Sequence, residues 1–166
     1  MSRVHSLDRF VDARGWSIND IFGEVRELVM NSGLEAACPN DAIMNPDNFQ
    51  FNYSILYPGI IKAWHRHKNQ DDFFCVLKGN AQVGIFSETP NGEGRLPAPE
   101  KHIIGELNPA VVHIKAGEWH GLTAIGDEPV GLLYLVTNLY DPNNPDEERA
   151  GWENFGPSGF WFPENK

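Results

Sequence analysis

Cysteine is nearly missing: Cys38 and Cys75 are the only two, far apart and in no Cys-x-x-Cys pair. That excludes a disulfide framework and a thiolate zinc site. Cys75, inside Phe73-Phe74-Cys75-Val76-Leu77, reads as a small buried hydrophobe. Long apolar runs are missing too. None approaches the roughly 18–20 residues that cross a bilayer, and Met1-Ser2-Arg3-Val4-His5-Ser6 has no signal-peptide core. A cytoplasmic protein without a membrane partner is expected. Basic charge is scarce, with 13 Lys and Arg against 23 Asp and Glu and a net charge of −10. The cations are scattered, so no face suits a phosphate backbone and no nucleic-acid partner is expected. An anionic small molecule stays open, because one or two cations in a pocket suffice for it. No Gly-x-Gly-x-x-Gly or Walker loop opens a helix, and there is no Gly-x-Ser-x-Gly elbow. Dinucleotide, ATP and elbow-hydrolase folds are set aside.

What is present divides near residue 49. Before it, Ile21, Phe22, Val25, Leu28 and Val29 fall at one-face helical spacing and predict an amphipathic helix over 18–31. Ser17 or Asn19 would cap its start, and Gly33 would follow its end. The Pro, Asn and Asp of 38–48 read as loop. After it, short apolar stretches recur at 51–57, 73–77, 81–86, 111–114 and 130–136. Turn signals at Pro58-Gly59, Gly79-Asn80, Gly117 and Gly126-Asp127 separate them. That punctuation predicts an antiparallel sandwich or barrel. Residues 139–166 carry Pro, Asp and Asn with Trp152, Phe155, Phe160, Trp161 and Phe162, and read as an ordered tail across the barrel or a partner subunit. Exposed aromatics of that kind point to a homodimer. The charges of 141–149 read as a solvated surface. The expected organisation is one all-β domain over 1–166, with a helix-and-loop arm (1–48), a barrel core (49–138) and an aromatic tail (139–166).

The chemistry concentrates in Gly59-Ile-Ile-Lys62-Ala-Trp-His65-Arg-His67-Lys-Asn-Gln-Asp-Asp72, followed later by Gly117-Glu-Trp-His120. Two residues apart on a strand, His65 and His67 share a face, and a turn at 68–71 would bring Asp72 beside them. With His120 they make a 3-His-1-carboxylate set suited to a single divalent Zn, Fe, Mn, Ni or Cu ion.

Gly59, His65, His67, Asp72 and Gly79 resemble, at matching spacing, the first motif of the cupin superfamily, with Asp for the usual Glu. Gly117 and His120 resemble its second motif. The resemblance implies a jelly-roll barrel with the site around His65, His67, Asp72 and His120; cupins use these positions both with and without a metal. More closely, the chain resembles the dTDP-4-dehydrorhamnose 3,5-epimerase family. The likeness is carried by Asp12-Ala-Arg14-Gly15-Trp16, Gln50-Phe-Asn52-Tyr-Ser54, Lys62 before His65, Gly117-Glu-Trp-His120-Gly121, and Leu133-Tyr134 through Tyr140-Asp141-Pro142.

It implies a sugar-nucleotide substrate gripped by Arg14, Gln50, Asn52, Lys62 and Tyr140, with His65 as base and Tyr134 as acid beside a 4-keto group. Three positions depart from the family. Asp72 stands where it has the lysine that stabilises the enolate oxygen, Trp161 where an Asp orients the histidine, and His67 where Gln is usual. A metal on His65, His67, Asp72 and His120 would replace that lysine as Lewis acid. Two other functions remain in view: a metal cupin with oxygenase or lyase chemistry, and a non-catalytic carbohydrate- or nucleotide-binding cupin.

Overall fold

The computed structural model describes residues 10–18, 49–90 and 92–161. They form eleven strands: β1 (Phe10–Asp12), β2 (Gly15–Ile18), β3 (Gln50–Leu56), β4 (Ile61–Arg66), β5 (Asp72–Lys78), β6 (Asn80–Phe86), β7 (Glu100–Gly105), β8 (Val111–Ile114), β9 (Trp119–Ile125), β10 (Val130–Val136) and β11 (Glu148–Arg149). A six-stranded sheet runs β1-β2-β3-β10-β5-β8, a five-stranded sheet β11-β4-β9-β6-β7, and every named pairing is antiparallel. The all-β two-sheet barrel expected from the sequence is therefore present. The predicted helix over 18–31 and loop over 38–48 lie outside the described residues, except that Ile18 ends β2. No helix among the described residues is long and apolar enough to cross a membrane.

Between the sheets the inward residues of alternating strands meet. Phe74 and Val76 of β5, Ala81, Val83 and Ile85 of β6, Leu122 of β9 and Leu132 of β10 belong to one buried cluster. β6 is buried along almost its whole length, because both its faces are covered. Ala81, Val83 and Ile85 face the barrel core. On the other face Gln82 donates through Nε2 to the Phe160 carbonyl at 2.7 Å, and Gly84 lies under the tail. A Cβ on Gly84 would come 2.6 Å from the Trp161 ring and 2.7 Å from that of Phe160.

The tail builds a second core on the outside of the five-stranded sheet, from Trp64, Phe86, Trp119, Phe160 and Trp161, with Phe155 against it. Trp64 and Trp161 both donate their indole N–H to the Trp152 carbonyl at 3.1 Å. The sequence argument for a homodimer rested on these tail aromatics needing cover. Phe160 and Trp161 are covered by their own chain, Trp152 stays exposed, and Phe162 lies outside the described residues. Cys75 is half-buried rather than enclosed, since in β5 it alternates with the core residues Phe74 and Val76.

Trp161→Ala is expected to lower stability by about 3–5 kcal/mol, the usual cost of emptying a large aromatic site, read as a lower urea midpoint.

Candidate functional site

The site depends on an irregularity in β4. Lys62 pairs with Leu122 and His65 with His120. Three steps on β4 thus face two on β9, so one residue of β4 bulges out of the ladder. A regular strand would send Lys62 and His65 to opposite faces; the bulge turns both inward, while Trp64 points outward into the second core. Gly121 makes room for it: a side chain there would collide with that of Ala63 and approach the Lys62 carbonyl oxygen at 2.7 Å.

His65, His67, Asp72 and His120 come together as the spacing predicts. One ligand atom from each lies within 4.8 Å of all the others. The His65 and His120 rings are 4.1 Å apart between centroids. The turn between His67 and Asp72 is not a hairpin, because β4 and β5 belong to different sheets; it carries the chain across the barrel, and Asp72 meets the histidines from the facing wall. The His67 Nδ1–H donates to the Asp146 carbonyl, and the His120 Nδ1–H donates to the Glu118 carbonyl at 3.0 Å. A carbonyl only accepts, so in both rings the proton sits on Nδ1 and the Nε2 lone pair faces the cluster. His120 Nε2 is buried without a hydrogen-bond partner, although Asp72 Oδ2 lies 3.2 Å away, off the hydrogen-bonding line. Gln70 steadies the carboxylate by donating to Asp72 Oδ1 at 2.7 Å. An orphaned lone pair, two fixed tautomers and a carboxylate in reach fit a divalent metal ion.

A cavity of about 240 Å³ opens over this cluster. Every substrate residue expected from the sequence lines it: Arg14, Gln50, Asn52, Lys62 and Tyr140, together with Tyr134. Gln50 works as an organiser within the group, donating through Nε2 to Asn52 Oδ1 at 2.6 Å and accepting the Tyr140 amide at 3.2 Å. Arg14 forks onto Asp12 across the β1–β2 turn. Phe74, Leu132 and Val136 supply apolar wall.

The electrostatics follow from burial. The His65 pKa is held well below its ordinary value, by desolvation first and then by His120, Lys62 and His67. Lys62 is lowered by burial and then by Arg14. The Tyr134 phenol is raised by burial, with Asp72 and Glu147 adding to the rise.

Sequence reasoning missed Glu147, Arg149 and Gln70, which also line the cavity. The charged run 141–149 is exposed over 141–145, as expected, but not throughout. Its end is strapped along β4: Asp146 accepts the Lys68 amide at 3.0 Å and the Asn69 amide at 2.8 Å. Glu148 binds Arg66 at 2.7 Å and Lys68 at 3.0 Å. Ala150 and Trp64 exchange backbone hydrogen bonds at 2.9 and 3.1 Å. Alternation then leaves Glu147 and Arg149 on the cavity side.

The model of the family described as the polysaccharide biosynthesis C-terminal domain matches residues 40–148. A probable low-salt glycan biosynthesis epimerase, Agl13 of Haloferax volcanii, is 37% identical over 156 residues, covering 89% of this chain and 97% of that protein. The spore coat polysaccharide biosynthesis protein SpsL of Bacillus subtilis is 35% identical over 104 residues, 63% of this chain and 68% of its own. Among solved structures, the capsular polysaccharide assembling protein CapF of Staphylococcus aureus superposes with a TM-score of 0.66 at 21% identity over 89% of this chain, which spans 32% of CapF. A dTDP sugar isomerase of Desulfovibrio desulfuricans gives 0.58 at 17% identity, covering 90% of this chain and 83% of that one.

Asp146→Ala is expected to loosen the strap, raising amide hydrogen exchange at Lys68 and Asn69 and costing about 0.5–1.5 kcal/mol for the hydrogen bonds it removes. Unchanged exchange at both amides would show that the strap is held from elsewhere.

Proposed function

Because the chain belongs to the polysaccharide biosynthesis C-terminal domain family, we propose that it epimerises the sugar of a 4-keto sugar nucleotide, moving a proton on the carbon beside the keto group. It is an isomerase-type enzyme on a cupin barrel. One observation carries the reading: residues from five separate segments, Arg14, Gln50 with Asn52, Lys62, Tyr134 and Tyr140, converge on a single cavity over the His/Asp cluster. The relatives named as a glycan biosynthesis epimerase and a dTDP sugar isomerase support the reaction class.

Arg14 and Lys62 take the diphosphate in charge-assisted hydrogen bonds. The anion also restores to Lys62 the charge that burial disfavours. Tyr134, its phenol kept protonated by burial, holds the proton that returns to carbon. Phe74, Leu132 and Val136 keep water from the enolate. His65, His67, Asp72 and His120 would hold a divalent metal, which would supply Lewis acidity in place of the lysine of the dTDP-4-dehydrorhamnose 3,5-epimerases. A liganded imidazole cannot take a proton, so removal then falls to Glu147, the other carboxylate lining the cavity. In a metal-free site the base is His65, which burial keeps neutral.

The test is incubation with a dTDP- or UDP-linked 4-keto sugar in deuterated water. Deuterium is expected beside the keto group, and Tyr134→Phe is expected to slow its entry by about 10²–10⁴-fold. No exchange by metal-supplemented wild-type protein on either nucleotide would remove the reading. Metal analysis of chelator-free protein is expected to give one equivalent, lost in His67→Ala; a content well below one after supplementation removes the metal and leaves His65 as base.

A further inference from the structure

The His/Asp cluster is assembled from two pairs that are held in different ways. His65 and His120 face each other within the β4–β9 ladder, so backbone pairing sets them. His67 lies one residue past the end of β4, and Asp72 is the first residue of β5. The crossover 68–71 between them belongs to no strand, so contacts outside the ladders have to fix it. Asp146 takes the Lys68 and Asn69 amides on one flank. The other flank belongs to Asp71, which does not line the cavity.

All the polar groups of Asp71 are engaged. Its amide donates to Thr137 Oγ1 at 2.9 Å, and its carbonyl accepts the Thr137 amide at 3.1 Å. The crossover is thereby tied to the chain just beyond β10. On the carboxylate, Oδ1 accepts the Ala116 amide at 2.8 Å and Oδ2 accepts the His113 Nε2–H at 2.7 Å. His113 is in turn stacked on Phe73, with centroids 4.4 Å apart and planes 6° from parallel. The next amide, that of Gly117, donates to the His67 carbonyl at 2.6 Å. The loop between β8 and β9 is thus bonded to the crossover at two adjacent residues.

That loop decides how His120 points. It is closed on itself, the Lys115 amide donating to Glu118 Oε2 at 2.8 Å and the Glu118 amide to the Lys115 carbonyl at 3.0 Å. The Glu118 carbonyl then accepts the His120 Nδ1–H, which leaves Nε2 for the cluster. One carboxylate outside the cavity therefore joins the turn bearing His67 and Asp72 to the loop that orients His120. We propose that Asp71 is a positioning residue for the cluster, setting the spacing of these groups and the His120 tautomer without being a ligand itself. The inference rests on the metal reading above, since outer partners of metal ligands commonly carry about 10–100-fold in affinity.

Cobalt(II) titration of chelator-treated protein, read by visible absorption, tests it on wild type, Asp71→Ala, Asp71→Asn and Glu106→Ala. Glu106 is the control: its carboxylate accepts the Gly79 amide at 2.8 Å, a bond of the same kind just past the opposite end of β5. Asp71→Ala is expected to weaken cobalt about 10–100-fold and to alter its ligand-field bands. Asp71→Asn, whose Oδ1 still accepts the Ala116 amide, should stay within about threefold of wild type. Glu106→Ala should leave both readings unchanged. In metal-free protein, nitrogen-15 spectra should show the His120 Nδ1–H tautomer in wild type and its loss in Asp71→Ala. Unchanged cobalt affinity and bands in Asp71→Ala, with only a lower urea midpoint, overturn the positioning role. An equal loss in Glu106→Ala or in Asp71→Asn overturns it too. If wild-type protein takes up no cobalt, the metal reading falls and the tautomer comparison decides Asp71: a His120 Nδ1–H retained in Asp71→Ala overturns its role.

Discussion

The pair of backbone hydrogen bonds between Trp64 and Ala150 fixes the strand on which everything else relies. β4 has to send Lys62, His65 and His67 into the barrel and Trp64 out of it, and a regular strand cannot do so because its faces alternate strictly. The bulge solves the geometry at the cost of one broken ladder position. The strap restores the lost bonding by supplying Ala150 as a partner, and the indole of Trp64 is then held by the outer core. Loss of that hold would let β4 relax toward a regular register, in which either Lys62 or His65 leaves the cavity.

This arrangement also explains how a chain of net charge −10 can suit an anionic ligand. Arg14, Lys62 and Arg149 come from a turn, a bulged strand and a strap, yet all three line the cavity. Lys62 is the most telling of them. Burial disfavours its charge, and Arg14 disfavours it further. Two cations brought together at a partly buried site cost stability unless anions join them, and Asp12 beside Arg14 and Glu147 beside both supply part of that charge from the chain itself.

Much of the barrel could be read from residue pattern alone. β5 alternates Asp72, Phe74 and Val76 inward with Phe73 and Cys75 outward, and β10 pairs with it in nearly unbroken register. His65, His67, Asp72 and His120 were legible because their spacing is local and their side-chain chemistry is distinctive. Other parts depend on contacts distant in sequence. β1 and β2 exist because β3 offers an edge, as in the Ser17–Ser54 pairing, and nothing near Arg14 announces that. Glu147 and Arg149 sit in a run that looks solvated, and it is ordered by Trp64, Arg66, His67, Lys68 and Asn69, about eighty residues earlier. β6 looked like an ordinary core strand; that Gln82 and Gly84 were chosen for a tail was invisible until the tail was seen against them.

The two cores have a consequence for the order in which the protein is made. The inner cluster is complete once Leu132 and its neighbours on β10 have been synthesised. The outer one closes only when Phe160 and Trp161 arrive to cover Trp64, Phe86 and Trp119. During the intervening stretch of translation the outer face of the five-stranded sheet is bare and tryptophan-rich, which is the kind of surface chaperones hold and nascent chains aggregate through. Because the strap ends at Ala150 inside that stretch, His67 and Arg149 gain their supports in the same late step. The enzyme therefore acquires its working site last, after the barrel that carries it is already built.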